Sequence, residues 1–247
     1  MVRIGISGAC GKMGMKIAAL AIKEKDMKIT AALERKDSGD LGKDFGHVLG
    51  MDRMGVIVSS DYEKEIGGVD ALIEFTLPEP TIEHVKICSK AGVPMVIGTT
   101  GLDARAEKAI NDASENMPIV FSPNMSMGVN TLFKIVREAA RILGKDFDIR
   151  MDETHHVHKK DAPSGTAKMI SRVIKDASGV EPHCEVVREG EVVGNHGVIF
   201  ESGYETLEIR HDAKSRDVFA VGAIKAARFI AGKKPGIYTM ADVLGIK

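Results

Sequence analysis

Three of the eight histidines and two lysines fall within six residues, from His155 to Lys160. Directly behind them come Pro163, Ser164, Gly165 and Thr166, and residues 167–175 then carry apolar side chains at helical spacing. Ser164 is a good N-cap, so a helix is predicted to start here. The first turn of a helix has unpaired N–H groups and a partial positive charge, and a carboxylate placed there is stabilised. Imidazoles trade protons near pH 7. One short segment therefore offers proton donors, a cation and an anion cradle. That set suits an anionic substrate whose reaction also needs a proton.

A second set lies at the other end of the chain. Gly8, Gly11 and Gly14 follow an apolar run over residues 2–7 and precede an apolar run through Ile17, Ala18, Leu20 and Ala21. The order strand, glycine turn, helix gives this motif its meaning, because the Gly-x-x-Gly-x-x-Gly spacing by itself is common. Glycine lets the backbone approach a pyrophosphate, and the helix N-terminus faces its charge. Lys12 can add a phosphate contact. Glu34 and Arg35 stand at the end of the next predicted strand, residues 27–33. An acid there accepts hydrogen bonds from ribose hydroxyls, which favours NAD; an arginine pairs with a 2′-phosphate, which favours NADP. This chain has both.

Stepping outward, the elements that must carry these groups alternate. Strands are expected near residues 55–58, 70–75, 93–97 and 118–121, with helices near 81–91 and from 103. Residues 37–52 read as a mobile loop. Such alternation implies a doubly wound parallel sheet, with ligands beside the C-terminal strand ends. Thr76, residues 98–100 and residues 122–125 all follow predicted strands and are expected to wall one crevice. From about Ser126 the pattern changes. A long amphipathic helix over 130–143 and an alternating strand over 147–151 come first. After the Ser164 helix, strands are expected at 184–188, 192–194, 197–201 and 205–210, forming an antiparallel or mixed sheet in a second, α+β domain. A last helix should run from Arg216 to about Ala231.

Composition narrows the function classes. The 247 residues carry a net charge of −1, which gives no global basic field for nucleic acid or anionic membrane. With no Trp and 4% aromatic residues, base-stacking platforms are not expected. No apolar run is long enough to span a bilayer, and with a glycine turn following so soon no signal peptide is expected. Cys10, Cys88 and Cys184 are widely spaced and odd in number, which reads as reduced cytoplasmic thiols.

At this point the motifs resemble a known family. The glycine turn, Glu34-Arg35, Phe75-Thr76, Gly98-Thr99-Thr100-Gly101, residues 123–130, residues 153–167, His211, Arg216, residues 219–223 and residues 235–240 run in the order found in 4-hydroxy-tetrahydrodipicolinate (dihydrodipicolinate) reductases of lysine and diaminopimelate biosynthesis. The stretch His-His-x-His-Lys-x-Asp-Ala-Pro-Ser-Gly-Thr-Ala is long and specific. The resemblance implies a Rossmann-type domain over 1–126, rejoined by about 221–247, and a substrate-binding and oligomerisation domain over 127–220. It implies NADH- or NADPH-dependent reduction of a cyclic dicarboxylate, catalysed by His155 and Lys159. His156, Ser164, Gly165 and Thr166 would bind substrate. Gly8, Ala9, Cys10, Gly11, Lys12, Met13, Glu34, Arg35, Thr76, Gly98, Thr99, Thr100, Ser122, Pro123, Asn124 and Met125 would bind the dinucleotide. A homotetramer is implied as well, and no metal.

Three other readings compete. His155, His156 and His158 could bind a metal, but Lys159 and Lys160 repel a cation. A dinucleotide-binding sensor would have no need of His155 and Lys159 beside an anion cradle. Another Rossmann oxidoreductase, such as a semialdehyde dehydrogenase, would want a nucleophilic cysteine, and Cys88 sits on a predicted helix.

Overall fold

A computed structural model describes residues 1–246 of the chain, which form two compact units. One consists of Met1–Met125 with Phe219–Gly245, the other of Ser126–Val218.

The first unit is the expected doubly wound α/β sheet. In chain order it holds β1 (Val2–Ser7), α1 (Lys12–Ala21), β2 (Met27–Leu33), α2 (Phe45–Val48), β3 (Val58–Ser59), α3 (Tyr62–Glu65), β4 (Ala71–Glu74), α4 (Pro78–Ala91), β5 (Met95–Ile97), α5 (Ala104–Ala113) and β6 (Pro118–Phe121). The seven strands are all parallel, in the order β11-β6-β5-β4-β1-β2-β3, where β11 is Gly236–Tyr238 near the C-terminus. The order reverses between β1 and β4, and doubly wound sheets bind ligands at such a point. Every residue of β4 and β5 is buried, as strands covered on both faces require. Leu72, Met95, Ile97 and Ile119 pack with Val85 and Cys88 of α4 and Ile110 of α5. Each such apolar side chain contributes about 1.5–3 kcal/mol when fully buried.

The second unit holds α6 (Met127–Leu143), β7 (Asp148–His155), α7 (Gly165–Ser178), β8 (His183–Arg188), β9 (Asn195–Glu201) and β10 (Thr206–Asp212). Its sheet, β10-β9-β7-β8, is mixed: β7 and β8 run parallel, and the other neighbours antiparallel. β7 alternates strictly, burying Ile149, Met151, Glu153 and His155. Ile149 and Met151 join Val198 and Phe200 of β9 beneath Leu132 and Val136 of α6 and Ile170 and Ile174 of α7. The alternate residues form an ionic outer face, where Arg210 pairs with Asp152 at 2.8 Å and Arg150 with Glu201. Two helices remain, α8 (Asp217–Ile230), which counts with the first unit from Phe219 on, and α9 (Met240–Leu244).

Several boundaries differ from the sequence reading. The strand expected at 55–58 is only Val58–Ser59, and residues 192–194 form no strand. The glycine- and aspartate-rich loop contains α2, because Asp44 caps it and also accepts the N–H groups of Met54 and Gly55 at 2.9 and 2.7 Å. β11 is a seventh strand with no periodicity to announce it; three residues pairing with β6 are too short to show a pattern. Among the described residues, no helix is long and apolar enough to cross a membrane.

Candidate active site

In the first unit the glycine turn joins β1 to α1. Gly8 has φ 74°, and a Cβ there would lie 2.6 Å from the Phe75 carbonyl oxygen, so both conformation and space demand glycine. A Cβ on Gly14 would meet the Gly8 oxygen at 2.1 Å, which lets α1 seat against the turn. The N-cap of α1 is Gly11, which offers no side-chain bond, and no acidic residue stands in the first turn. The N–H groups of this helix start, with Lys12 and Met13, are therefore without a built-in anion. Glu34, just past β2, accepts the Cys10 N–H at 3.0 Å through Oε2 and the Arg35 N–H at 3.0 Å through Oε1. Arg35 is largely exposed and pairs with Asp37 at 3.2 Å.

A cleft of about 1100 Å³ opens here. Gly8, Cys10, Gly11, Glu34, Arg35 and Thr76 line it, together with Lys36, Tyr62 and His84, which sequence reasoning did not single out. Ala9, Lys12, Met13, Gly98, Thr99, Thr100, Ser122, Pro123, Asn124 and Met125 are not part of its wall. Residues 98–100 follow β5 and residues 122–125 follow β6, so they share the C-terminal edge of the sheet with the turn. Ser122 Oγ donates to the Asn124 carbonyl at 3.0 Å and shapes that loop. Glycine turn, uncapped helix start and an acid past β2 fit a dinucleotide.

The second unit gathers the other candidates at the end of β7 and the start of α7. Glu153, fully buried, accepts the Ser164 N–H at 3.0 and 3.2 Å and the Arg188 guanidinium at 3.1 Å. His155 Nδ1 lies 3.6 Å and His196 Nε2 3.7 Å from the same carboxylate, and the two rings meet edge to face at 5.1 Å. Burial pushes the His155 imidazole below its usual pKa, Glu153 pulls it up, and Lys159 and Arg188 push it down again. Burial also pushes His196 down, to about 4, with His155 adding to the effect. Burial opposes ionisation of Glu153, but the Ser164 and Arg188 bonds prevail and hold its pKa below the usual carboxylate range. Lys159 pairs with Asp161 at 2.7 Å. His156 Nε2 lies 3.3 Å from the Arg216 guanidinium. Ser164 caps α7, its Oγ accepting the Ala167 N–H at 3.1 Å; Gly165 and Thr166 form the first turn.

Glu153, Arg188 and His196 were not among the candidates. The alternation of β7 places Glu153 two residues from His155 on one face, a signal present in the sequence. His196 stands opposite Glu153, and Arg188 opposite His155, only through strand register. The ligand atoms of Glu153, His155 and His196 lie within 4.8 Å of one another, close enough for a metal. The Arg188 guanidinium on the same carboxylate opposes a second cation there.

The buried Nδ1 atoms of His155, His156, His196 and His211 make no hydrogen bond within the protein. Such atoms are normally satisfied by ordered water or by a polar ligand. The three thiols are poor nucleophiles: burial first, then nearby carboxylates, pushes Cys10 and Cys184 up to about 11 and Cys88 higher still.

A parallel sheet with a dinucleotide cleft, joined in sequence to a unit that holds imidazoles beside a helix start, defines a nicotinamide-dependent oxidoreductase of the Rossmann type. Two family models divide the chain between them, "Dihydrodipicolinate reductase, N-terminus" over residues 2–125 and "Dihydrodipicolinate reductase, C-terminus" over 128–244. The chain belongs to the dihydrodipicolinate reductase family. It is 40% identical over 267 aligned positions to a 4-hydroxy-tetrahydrodipicolinate reductase of Anaeromyxobacter dehalogenans, covering 100% of this chain and 99% of that one. A protein of the same name from Nitrosomonas eutropha is 41% identical with the same coverage. Among solved structures, a dipicolinate-bound dihydrodipicolinate reductase from Paenisporosarcina sp. TG-14 shares the fold, with TM-score 0.81, 24% identity and 98% of each chain covered.

Proposed function

We propose that this protein reduces 4-hydroxy-tetrahydrodipicolinate to tetrahydrodipicolinate with loss of water, using NADH or NADPH, in lysine and diaminopimelate biosynthesis. The observation that carries the site assignment is the polar end of β7, where His155, Glu153 and the α7 start meet. The nicotinamide supplies the hydride; the protein supplies position and field. Loss of the 4-hydroxyl with a ring hydrogen as water leaves a conjugated imine; hydride addition to it leaves electron density that one proton must quench, and His155 or Lys159 donates that proton. His156, Ser164, Gly165 and Thr166 receive a substrate carboxylate, with the Gly165 and Thr166 N–H groups of the α7 start as donors, since the Ser164 N–H is already held by Glu153. Arg216, beside His156, adds positive charge. Residues 8–13, Glu34, Arg35, Thr76, residues 98–100 and residues 122–125 receive the dinucleotide. The first unit is thus the cofactor domain and the second the substrate and oligomerisation domain.

We assign a cytoplasmic location, which suits three free thiols, and a homotetramer assembled through the second unit. Light scattering that returned a monomer at micromolar concentration would remove that assembly.

The reaction is tested by making substrate in situ from pyruvate and aspartate semialdehyde and following the absorbance of NADH and NADPH separately. Oxidation of either coenzyme that requires both precursors is expected. Lys159→Ala should lower turnover about 10²–10⁴-fold with coenzyme affinity nearly unchanged. A large loss of coenzyme affinity instead would sink the division of roles.

A further inference from the structure

Beneath the cleft of the first unit lies a buried polar cluster that the reaction as described leaves unused. Its centre is Glu74, the last residue of β4, with no exposed surface. His84 Nδ1, from α4, lies 3.1 and 3.2 Å from the two carboxylate oxygens. The hydroxyl of Thr81 donates to Oε1 at 3.2 Å, and that of Thr76 donates to the same oxygen. Ser7 Oγ, immediately before the glycine turn, lies 3.4 Å from His84 Nδ1 and 2.7 Å from the Tyr62 hydroxyl. The Tyr62 ring stacks on His84 with centroids 3.8 Å apart.

Burying a carboxylate with an imidazole partner is expensive, and apolar residues of similar volume usually serve stability as well or better. What the cluster does instead is join the loops around the cleft. Thr81 Oγ1 lies 2.9 Å from Thr99 Oγ1, which also accepts the Thr76 N–H at 3.3 Å. The Gly98 N–H donates to the Glu74 carbonyl at 2.9 Å. One carboxylate thereby ties Thr76, which lines the cleft, to Thr99 of the loop after β5, while Ser7 links it to the turn after β1.

We propose that Glu74 and His84 are a positioning pair for the dinucleotide, holding Thr76 and Thr99 where the coenzyme meets them. Neither residue touches the reacting atoms. This inference rests on the reading that the cleft and the loop after β5 receive the coenzyme.

A carboxylate accepts from the imidazole and two hydroxyls at once. A glutamine has one acceptor oxygen and brings two N–H donors, so Glu74→Gln breaks the arrangement at nearly constant volume. Thr81→Val keeps the Glu74–His84 pair and removes the Thr81 hydroxyl, and with it the bond to Oε1 and the link to Thr99. NADH affinity is measured by fluorescence titration, thermal stability by melting, and kcat and substrate KM at saturating NADH. NADH Kd should rise about tenfold in Glu74→Gln and about threefold in Thr81→Val. Turnover at saturating NADH should stay within about twofold and substrate KM unchanged. A merely structural role would lower melting temperature and the active fraction, cutting kcat while leaving NADH Kd in place; that result overturns the proposal. If Glu74→Gln fails to fold, Thr81→Val decides alone, and an unchanged Kd there refutes it. Wild-type protein that binds no NADH would instead defeat the underlying reading of the cleft.

Discussion

Glu153 shows how one carboxylate can serve a neighbour's chemistry. It lies 3.6 Å from His155 Nδ1 and raises that imidazole's pKa against the lowering by burial, Lys159 and Arg188. If His155 donates the proton, the active form is the protonated one, present below its pKa. Glu153→Gln removes the raising influence. The alkaline fall of kcat/KM, which reports the free enzyme, should move to lower pH and cut the rate at pH 8 severalfold; a profile that stays in place would break the link between the two residues. Arg35 belongs to the same scale. Its guanidinium is exposed beside the cleft, so Arg35→Ala should weaken NADPH about tenfold or more while sparing NADH. Equal losses in paired titrations would show that Arg35 does not meet a 2′-phosphate. His155 and Lys159 stood out in sequence because their types are rare and clustered there, and their roles are the ones proposed above. Residue chemistry was illegible at His196 and Arg188, which stand in ordinary strand sequence and acquire a role only through register with β7.

At the scale of elements, the start of α7 does two jobs. Ser164 caps the helix, and its Oγ lies 3.3 Å from His196 Nε2. Ser164→Ala should cost about 1–2 kcal/mol of stability, seen in urea melts, and raise substrate KM as the first turn loosens. A variant with wild-type KM would take this helix start out of the binding site. α1 makes the contrast: its N-cap is glycine with no side-chain bond, as a site for an external anion requires. Both starts were readable, because caps and glycines are local signals. Short elements were not. β3 and β11 have two and three residues, and their existence depends on the partners β2 and β6. Asp44, which builds α2, reads in sequence as one more acid in a polar loop.

For the whole molecule, the buried histidines set an acid limit. His196 sits near a pKa of about 4 in the fold against 6.5 in an open chain. Folding therefore favours its neutral form. That stability is complete above about pH 6.5 and declines as pH falls toward 4. Integrated, the loss is about 3 kcal/mol, and His155 and His211, also lowered, act in the same direction. Melts from pH 7 to 4 should show the decline, and His196→Gln should flatten it; an unaltered slope would place the acid sensitivity elsewhere.

The amino-acid order alone determined the two halves, the parallel character of the first sheet, and both chemical motifs. Each depends on periodicity, glycine or capping, which act over a few residues. Tertiary structure decided which distant groups meet: Glu74 with His84 and Thr99, Glu153 with His196 and Arg188, and β11 with β6. Those meetings follow from strand register and sheet order, which the chain settles only by burying its apolar faces together.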